Sequence, residues 1–224
     1  MCKDELPAPP KADGADFRHR IMKAIATSNL ATGTLAEIAG VLQTPLERRR
    51  SEWFQLLWEA VKELQIRDRN FTTESLRDDE EFVTVVLHAT HVALRTHQTE
   101  KLQALRNAVL NVAVGSAPDA DLQAIFLDAV DAFTPSHVRI LRCFCEATDR
   151  PSTLRSAISE GSLDIKPQSP LACQILRDLR TRGFVDFELA LDQLGPTTAP
   201  LVDVKPTDFG RTFLSFVTSP LERP

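Results

Sequence analysis

Residues 169–191, SPLACQILRDLRTRGFVDFELAL, decide how the C-terminal half of the chain is interpreted. Ser169 and Pro170 are typical of a helix start, and Gly183 suits a helix end. Residues 185–191 then alternate apolar and polar side chains, which predicts a β-strand with one buried face. The stretch therefore predicts a helix that runs directly into a strand, as in many modules that read DNA.

A helical wheel predicts which side chains of this helix point outward. With Leu171, Ile175 and Leu179 inward, Gln174 and Arg177 could contact base edges in a major groove. Arg180, together with Arg155 on the preceding helix, could contact phosphates. The alternative is an ordinary solvated face, with Arg177 paired to Asp178 or Glu188. The outward positions of the wheel are Cys173, Gln174, Arg177, Arg180 and Thr181, and the candidate DNA-binding residues are Arg155, Gln174, Arg177, Arg180 and Thr181.

The surrounding residues predict three helices, a hairpin and a closing helix. The first helix begins at Thr134 and Pro135, and the second spans residues 151–160 and ends at Gly161. A turn at residues 195–200 reverses the chain into a second strand, and Thr207 starts the last helix. No strand pattern occurs before residue 184. The side chains predicted to face inward from the first helix are Val138, Leu141, Phe144 and Cys145, and those on the closing helix are Phe209, Phe213, Phe216 and Val217.

This layout resembles the winged helix-turn-helix regulators of bacteria, of the MarR/PadR-like kind. ILRDLRTRGFV, residues 175–185, is similar to the end of the family's recognition helix, and KPTDFGRTFLSFV, residues 205–217, to its last strand and closing helix. The resemblance covers residues 134–218 and implies a winged helix that binds palindromic DNA as a homodimer. Two features depart from it: the connection between the second and third helices is long, and the wing tip at residues 195–200 carries no Lys or Arg.

The N-terminal half predicts a bundle of amphipathic helices. Residues 45–66 have Thr44 as the predicted N-cap and Pro45 at the first helical position. Residues 75–96 form a second amphipathic stripe, Thr99 is predicted to cap a third helix, and a fourth follows residue 118. The predicted inward stripe of the first is Trp53, Leu56, Leu57, Ala60, Val61 and Leu64, and that of the fourth is Leu122, Ile125, Phe126, Ala129, Val130 and Phe133.

The fold class predicted from these patterns is mainly α, an N-terminal helical bundle followed by a C-terminal winged-helix domain with a small β-hairpin. The predicted domains are a disordered tail over residues 1–16, the bundle over residues 17–133, and the winged helix over residues 134–224. The formal net charge is −5, and residues 134–224 hold 11 basic and 11 acidic residues. This balance argues against a generalised polyanion binder, because such proteins usually have a large basic excess.

The side chains that could carry chemistry are few. His88 and His91 are three residues apart on a helix, but no third ligand is placed near them, so we expect no metal site. The four cysteines form no C-x-x-C pair and predict no disulfide, as in a reducing cytoplasm. Cys173 on the outward face is a conceivable redox switch, although an ordinary exposed thiol is the simpler interpretation. No catalytic motif is present, so we expect a non-enzymatic protein without a cofactor.

Residues 24–43 are apolar enough to raise the question of a membrane. They contain a glutamate, an asparagine and several threonines, so we interpret them as short helices packed in the bundle. The minority interpretation is conditional membrane insertion, with Arg48, Arg49 and Arg50 as an anchor for headgroups.

The sequence therefore favours a cytoplasmic bacterial regulator that binds double-stranded DNA as a homodimer, with the bundle mediating assembly or sensing a partner. The alternative is a protein-protein interaction component of a phage-defence or toxin-associated system, whose winged helix docks another protein. A membrane-acting effector ranks third, and we expect no membrane partner.

Overall fold

The computed structural model describes residues 34–67, 76, 78–147 and 152–222, with backbone alone for residues 34–44, 152 and 222. This part of the chain is mainly helical with a small antiparallel sheet near the C-terminus, as the sequence predicts. The predicted tail at residues 1–16 and the whole of the segment 17–33 that follows it lie outside the described residues.

In the part of the first half that the structure describes, four helices with defined bounds form a bundle. They are α1 (Thr34–Arg67), α2 (Glu80–Arg95), α3 (Thr99–Ala113) and α4 (Ala120–Ala132). The predicted stripe of α1 is confirmed, since Trp53, Leu57, Ala60 and Leu64 are buried. On α4 the stripe is confirmed at Phe126, Ala129, Val130 and Phe133, but Ile125 is 50% exposed, so its predicted inward position is wrong.

Four predicted helix starts are wrong, and one of them lies in the second half, where the helix predicted over residues 151–160 begins at Leu154. Helix α1 begins at Thr34 and runs through Pro45, because a proline removes only one backbone N–H and the nearby Leu42, Gln43, Leu46 and Glu47 are good helix formers. Helix α2 begins at Glu80, not at residue 75, because the Asp79 carboxylate accepts from the N–H groups of Glu81 and Phe82, both at 3.0 Å. Gln98, not Thr99, occupies the N-cap of α3.

The second half alternates helices with short strands. In chain order these are α5 (Pro135–Glu146), β1 (Ser152–Thr153), α6 (Leu154–Glu160), α7 (Pro170–Thr181), β2 (Val185–Asp186), β3 (Asp203–Pro206) and α8 (Asp208–Val217). The sheet has the order β1-β3-β2, with Ser152 opposite Val204 and Val185 opposite Pro206, all antiparallel. Strand β1 contradicts the expectation of no strand before residue 184, because two residues are too few to show an alternating pattern.

The strand predicted over residues 185–191 is only two residues long. The chain continues instead into short 3-10 turns at Leu191–Gln193 and Ala199–Leu201 before it returns as β3. The carbonyls that a longer strand would offer to a ladder are bound by side chains of α7, as described below. We call residues 187–202, which join β2 to β3, the wing segment.

One hydrophobic core joins the two halves. The ring of Phe126 on α4 lies 5.4 Å from that of Phe213 on α8, and Phe133 lies 5.1 Å from Phe184. All four side chains are almost fully buried. The boundary predicted between residues 133 and 134 therefore falls within a shared aromatic cluster, to which Phe184, just after α7, contributes.

Candidate interaction surface on helix α7

Helix α7 has well-defined ends. Ser169 Oγ accepts from the N–H of Ala172 at 3.1 Å, which confirms the predicted N-cap. At the other end, Gly183 has a φ of +80°, and the N–H of Phe184 donates to the carbonyl of Leu179 at 2.9 Å. This Schellman arrangement requires a left-handed residue, which is why a glycine ends the helix.

The buried face of α7 differs from the predicted one. Cys173, predicted outward, is 6% exposed, and Leu171, predicted inward, is 50% exposed. The buried face is rotated about the helix axis relative to the prediction, because α7 packs against the turn at Ala199–Leu201 and strand β2 as well as against α5. Burial also raises the pKa of the Cys173 thiol, so an accessible redox switch on this face is contradicted.

The two candidate arginines of α7 bind the wing segment. Arg177 donates from Nη1 to the carbonyl of Leu191 and from Nη2 to that of Leu194, both at 3.0 Å. Arg180 donates from Nη1 to the carbonyl of Leu189, and its guanidinium lies 4.2 Å from the centroid of the Phe187 ring. Neither pairing of Arg177 considered from the sequence, with Asp178 or Glu188, is present among its described contacts. The two guanidinium groups hold the wing segment against the helix.

The wing segment carries no positive charge. Residues 187–202 contain two acidic residues and no Lys or Arg. Glu188 and Asp192 are both exposed, and so is Asp186 at the end of β2. The wing segment itself therefore offers no cation to a phosphate group.

The other three candidates are exposed. Gln174 donates from Nε2 to Asp178 Oδ1 at 2.7 Å, and Thr181, the last residue of α7, lies on the same side of the helix. Arg155 lies in the first turn of α6, with its side chain in solvent. The structure thus leaves Gln174, Thr181 and Arg155 accessible and engages Arg177 and Arg180 within the chain.

A buried histidine connects α7 to the start of α5. His137 is 5% exposed and stacks on Phe133 with ring centroids 4.8 Å apart. Its Nδ1 accepts from the backbone N–H of Thr134 at 3.1 Å, so Nε2 carries the proton and donates to Asp178 Oδ2 at 3.3 Å. Burial lowers the pKa of His137, although Asp178 opposes the change. His137 was not among the residues selected from the sequence. The pattern that could have identified it is its place at the capping-box position, three residues after the N-cap Thr134.

Among the described residues, the remaining cysteines and histidines form no reactive cluster. Leu141 and Phe144 of α5 are buried as predicted, whereas Val138 and Cys145 are half-buried and Ile140 is fully buried. Burial raises the pKa of Cys145 to about 11. His88 Nε2 lies 3.1 Å from Asp128 Oδ1. Within the described part of the chain, no three His, Cys, Asp or Glu side chains are grouped to hold a metal ion.

The three arginines of the minority membrane interpretation lie on α1. Arg48 pairs with Glu52 at 3.7 Å, Arg49 donates to the carbonyl of Leu94 at 3.2 Å, and the Arg50 guanidinium lies 5.9 Å from the Phe54 ring centroid. Of the helices that the structure describes, none is long and apolar enough to cross a bilayer.

Comparison of the chain with known protein families, with curated proteins and with solved structures finds no match.

Proposed function

We propose that the chain is a non-enzymatic interaction protein whose C-terminal part is a winged helix that docks another protein. The order of elements supports the winged helix: a helix, a short strand, two helices and two further strands, in a sheet ordered β1-β3-β2. A closing helix, α8, follows. Winged helices bind DNA in some proteins and another protein in others. The choice between these two partners therefore depends on the surface of α7.

One observation carries the choice of a protein partner. An arginine that reads guanine presents two N–H groups of its guanidinium to the base edge. Arg177 directs its Nη1 and Nη2 groups to two carbonyls of the wing segment instead, and Arg180 binds a third. Among the residues of α7 that remain exposed, Leu171, Gln174 and Thr181 form an uncharged ridge; the exposed charges next to them are Arg182 at the end of the helix and the acidic side chains of the wing segment. Such a surface suits a protein partner better than a polyanion.

The DNA-binding regulator is the second candidate, and Arg155 is the observation that favours it. Arg155 lies in the first turn of the helix before α7, where its guanidinium is exposed and makes no hydrogen bond to the described residues. It could contact a phosphate if α7 entered a major groove, with Gln174 and Thr181 toward the bases.

Binding of labelled duplex DNA at a series of salt concentrations separates the two candidates. Fluorescence anisotropy of a protein-docking module should show only weak binding that is unaffected by Arg155→Ala. A regulator should bind one genomic fragment tightly, with a steep loss of affinity as salt rises. Arg155→Ala should then reduce the slope of that dependence by about 1. Steep, Arg155-dependent binding would overturn the protein-docking proposal.

Photo-crosslinking in living cells tests the proposal directly. A photoreactive residue at Gln174, on the exposed ridge of α7, should capture a discrete protein, whereas the same residue at Gln103, exposed on α3, should not. The added substitution Leu171→Glu should abolish capture from Gln174, because it places a charge on the ridge one turn away from the crosslinking position. Equal capture from both positions, or capture that survives Leu171→Glu, would remove the ridge as the docking surface.

A further inference from the structure

We propose that a pocket between α3 and α5 binds a small carboxylate that carries a compact apolar group. The pocket has a volume of about 330 Å³. Its lining comes from α3, α5, α8 and the end of α4, and none of it from α7 or the wing segment, so the assignment goes beyond the proposed docking function. The lining residues that carry the argument are Glu100, Lys101, Pro135, Val138, Arg139 and Arg142.

The pocket is a cleft between facing stripes of two helices. Helices α3 and α5 each pack on α8, and the ion pair of Glu100 with Arg139 spans the gap between them. On both helices the lining residues follow the spacing i, i+3, i+4, i+7, which places them on one face. The stripe of α3 is Glu100, Gln103, Ala104 and Asn107, and that of α5 is Pro135, Val138, Arg139 and Arg142. A ligand in the cleft would therefore contact both helices at once.

The inner part of the pocket is apolar. Val130, Phe133 and Val217 close its base and are at most 3% exposed. Pro135 and Val138 in the wall are only half-buried, so a ligand can reach their surfaces. Transfer of an apolar group from water to such a wall is favourable. The pocket therefore fits a ligand whose body is apolar.

The arginines at the mouth remain available to an anion. Arg139 and Arg142 are both exposed. Arg139 donates to the Glu100 carboxylate from Nε, at 2.8 Å, and from Nη2, which leaves its Nη1 without a partner among the described residues. Arg142 has no hydrogen-bond or ion-pair partner in the described part of the chain. Because a guanidinium can bind a carboxylate through two parallel hydrogen bonds, this ligand class suits the mouth of the pocket.

Lys101 adds a positive charge that is partly removed from water. Its Nζ donates to the carbonyl of Asp131 at 2.7 Å, and the Asp131 carboxylate pairs with Arg95. Burial lowers the pKa of Lys101, although the charge of Asp131 opposes the change. Because burial costs the ammonium group part of its hydration, a bound anion would stabilise its charged form. With three basic side chains and one acidic side chain in the lining, the potential in the pocket is positive.

Size restricts the apolar part of the ligand. The volume of about 330 Å³ lies at the lower end of the range of about 300 to 1,000 Å³ that is usual for small-molecule sites. A single saturated ring or a short branched chain therefore fits, with the carboxylate toward Arg139 and Arg142 and the apolar body against Pro135 and Val138.

Titration of the ¹⁵N-labelled protein with cyclohexanecarboxylate tests this assignment, with cyclohexanecarboxamide and cyclohexylmethylammonium as neutral and cationic counterparts. We expect saturable shifts of the Ala104, Val138 and Arg139 backbone amides and of the Asn107 side-chain amide. The affinity for the carboxylate should be at least about fivefold higher than for the carboxamide, because charge-assisted hydrogen bonds are the stronger ones. The cation should bind most weakly. Equal affinity for the carboxylate and the carboxamide, or the lack of saturable shifts at these residues, would overturn the proposal.

Two substitutions that remove the same charge provide the matched control. Arg142→Gln removes the arginine without a described partner and should lower the affinity for cyclohexanecarboxylate about threefold to tenfold, with little change for the carboxamide. Lys166→Gln removes an exposed cation outside the lining and should leave both affinities unchanged. An equal loss in the two variants, which would follow from net charge alone, or an undiminished affinity in Arg142→Gln would exclude this pocket as the site.

Discussion

At the scale of single residues, Asn111 joins α3 to the end of α8. It is fully buried, and its Nδ2 donates to the carbonyls of Phe216 and Thr218 at 2.7 and 2.9 Å. Its Oδ1 accepts from Ser116 Oγ at 2.9 Å. The last carbonyls of a helix have no partner within the helix, so this amide satisfies groups that would otherwise be buried and unpaired.

Replacing Asn111 by leucine should lower the free energy of unfolding by about 2 to 3 kcal/mol. The leucine has a similar size but leaves the α8 carbonyls without a donor. Urea denaturation measures the effect, and Gln103→Leu, at an exposed position of the same helix, is the control and should change it little. An unchanged urea midpoint for Asn111→Leu would show that these hydrogen bonds make no net contribution to the free energy of unfolding.

His137 should make the stability of the protein depend on pH. Burial lowers its pKa in the folded chain below the ordinary value of 6.5, so the unfolded chain binds the proton more readily. The contribution of neutral His137 to the free energy of unfolding is fully present above pH 6.5, and it is lost as the pH falls below 6.5. Denaturant midpoints measured between about pH 7.5 and 5.5, where carboxylates contribute little, should therefore decrease with acidity.

The substitution His137→Gln isolates this contribution. A glutamine at the third position after the N-cap can still reach the backbone N–H of Thr134, but it does not titrate. The variant should have a flatter pH dependence than the native chain, whereas His91→Gln, at an exposed position, should retain the native slope. A native slope in His137→Gln would assign the pH dependence to another group.

At the scale of elements, the start of α8 is positioned by a close backbone approach. A Cβ atom on Gly210 would lie 2.2 Å from the carbonyl oxygen of Phe184. Thr207 Oγ1 accepts from the N–H of Gly210 at 3.0 Å, and the same hydroxyl donates to the carbonyl of Gly183 at 2.6 Å. The T-x-x-G pattern in the sequence thus has two separate causes, a helix cap and a contact that only glycine permits.

Gly210→Ala should destabilise the protein by about 2 kcal/mol or more, because backbone atoms cannot move aside cheaply. Helix propensity alone predicts the opposite, a gain of about 1 kcal/mol. Thermal unfolding decides between the two expectations. Gly195→Ala is the control, since the nearest atom to its Cβ would be 4.0 Å away, and its melting temperature should stay close to that of the native chain.

At the scale of the whole molecule, the aromatic cluster should make the two halves unfold together. The ring of Phe126 lies within 6 Å of the rings of Phe209, Phe213 and Phe216, with centroid distances of 5.0, 5.4 and 5.9 Å. A side chain from the bundle is therefore part of the core of the C-terminal half. Cooperative unfolding is expected when two units share buried apolar area of this kind.

Phe126→Ala should lower the stability of both halves by the same amount, about 3 to 5 kcal/mol. Fluorescence of Trp53 and Trp58 reports on α1, and thiol labelling of the buried Cys173, located by mass spectrometry, reports on α7. Both urea transitions should shift together. A Cys173 transition that stays at its native midpoint while the fluorescence transition moves would instead support two independent domains.

The positions of most helices could be predicted from the sequence, because caps and apolar periodicity are local signals. Ser169, Gly183 and Asp119 act at helix ends as their types predict. The local signals failed where neighbours in space decided the outcome. The orientation of α7 was mispredicted at Leu171 and Cys173 because the turn at Ala199–Leu201 also covers this helix.

By itself, the sequence determined that this protein is a helical bundle followed by helices with a small hairpin, since amphipathic spacing and turn residues act over a few positions. Only the tertiary structure decided what the outward arginines of SPLACQILRDLRTRGFVDFELAL do. The carbonyls that Arg177 and Arg180 bind lie 9 to 17 residues further along the chain, and they meet the helix only after the wing segment has folded back. A residue's type shows which partners it can bind, but its tertiary neighbours determine which of them it reaches.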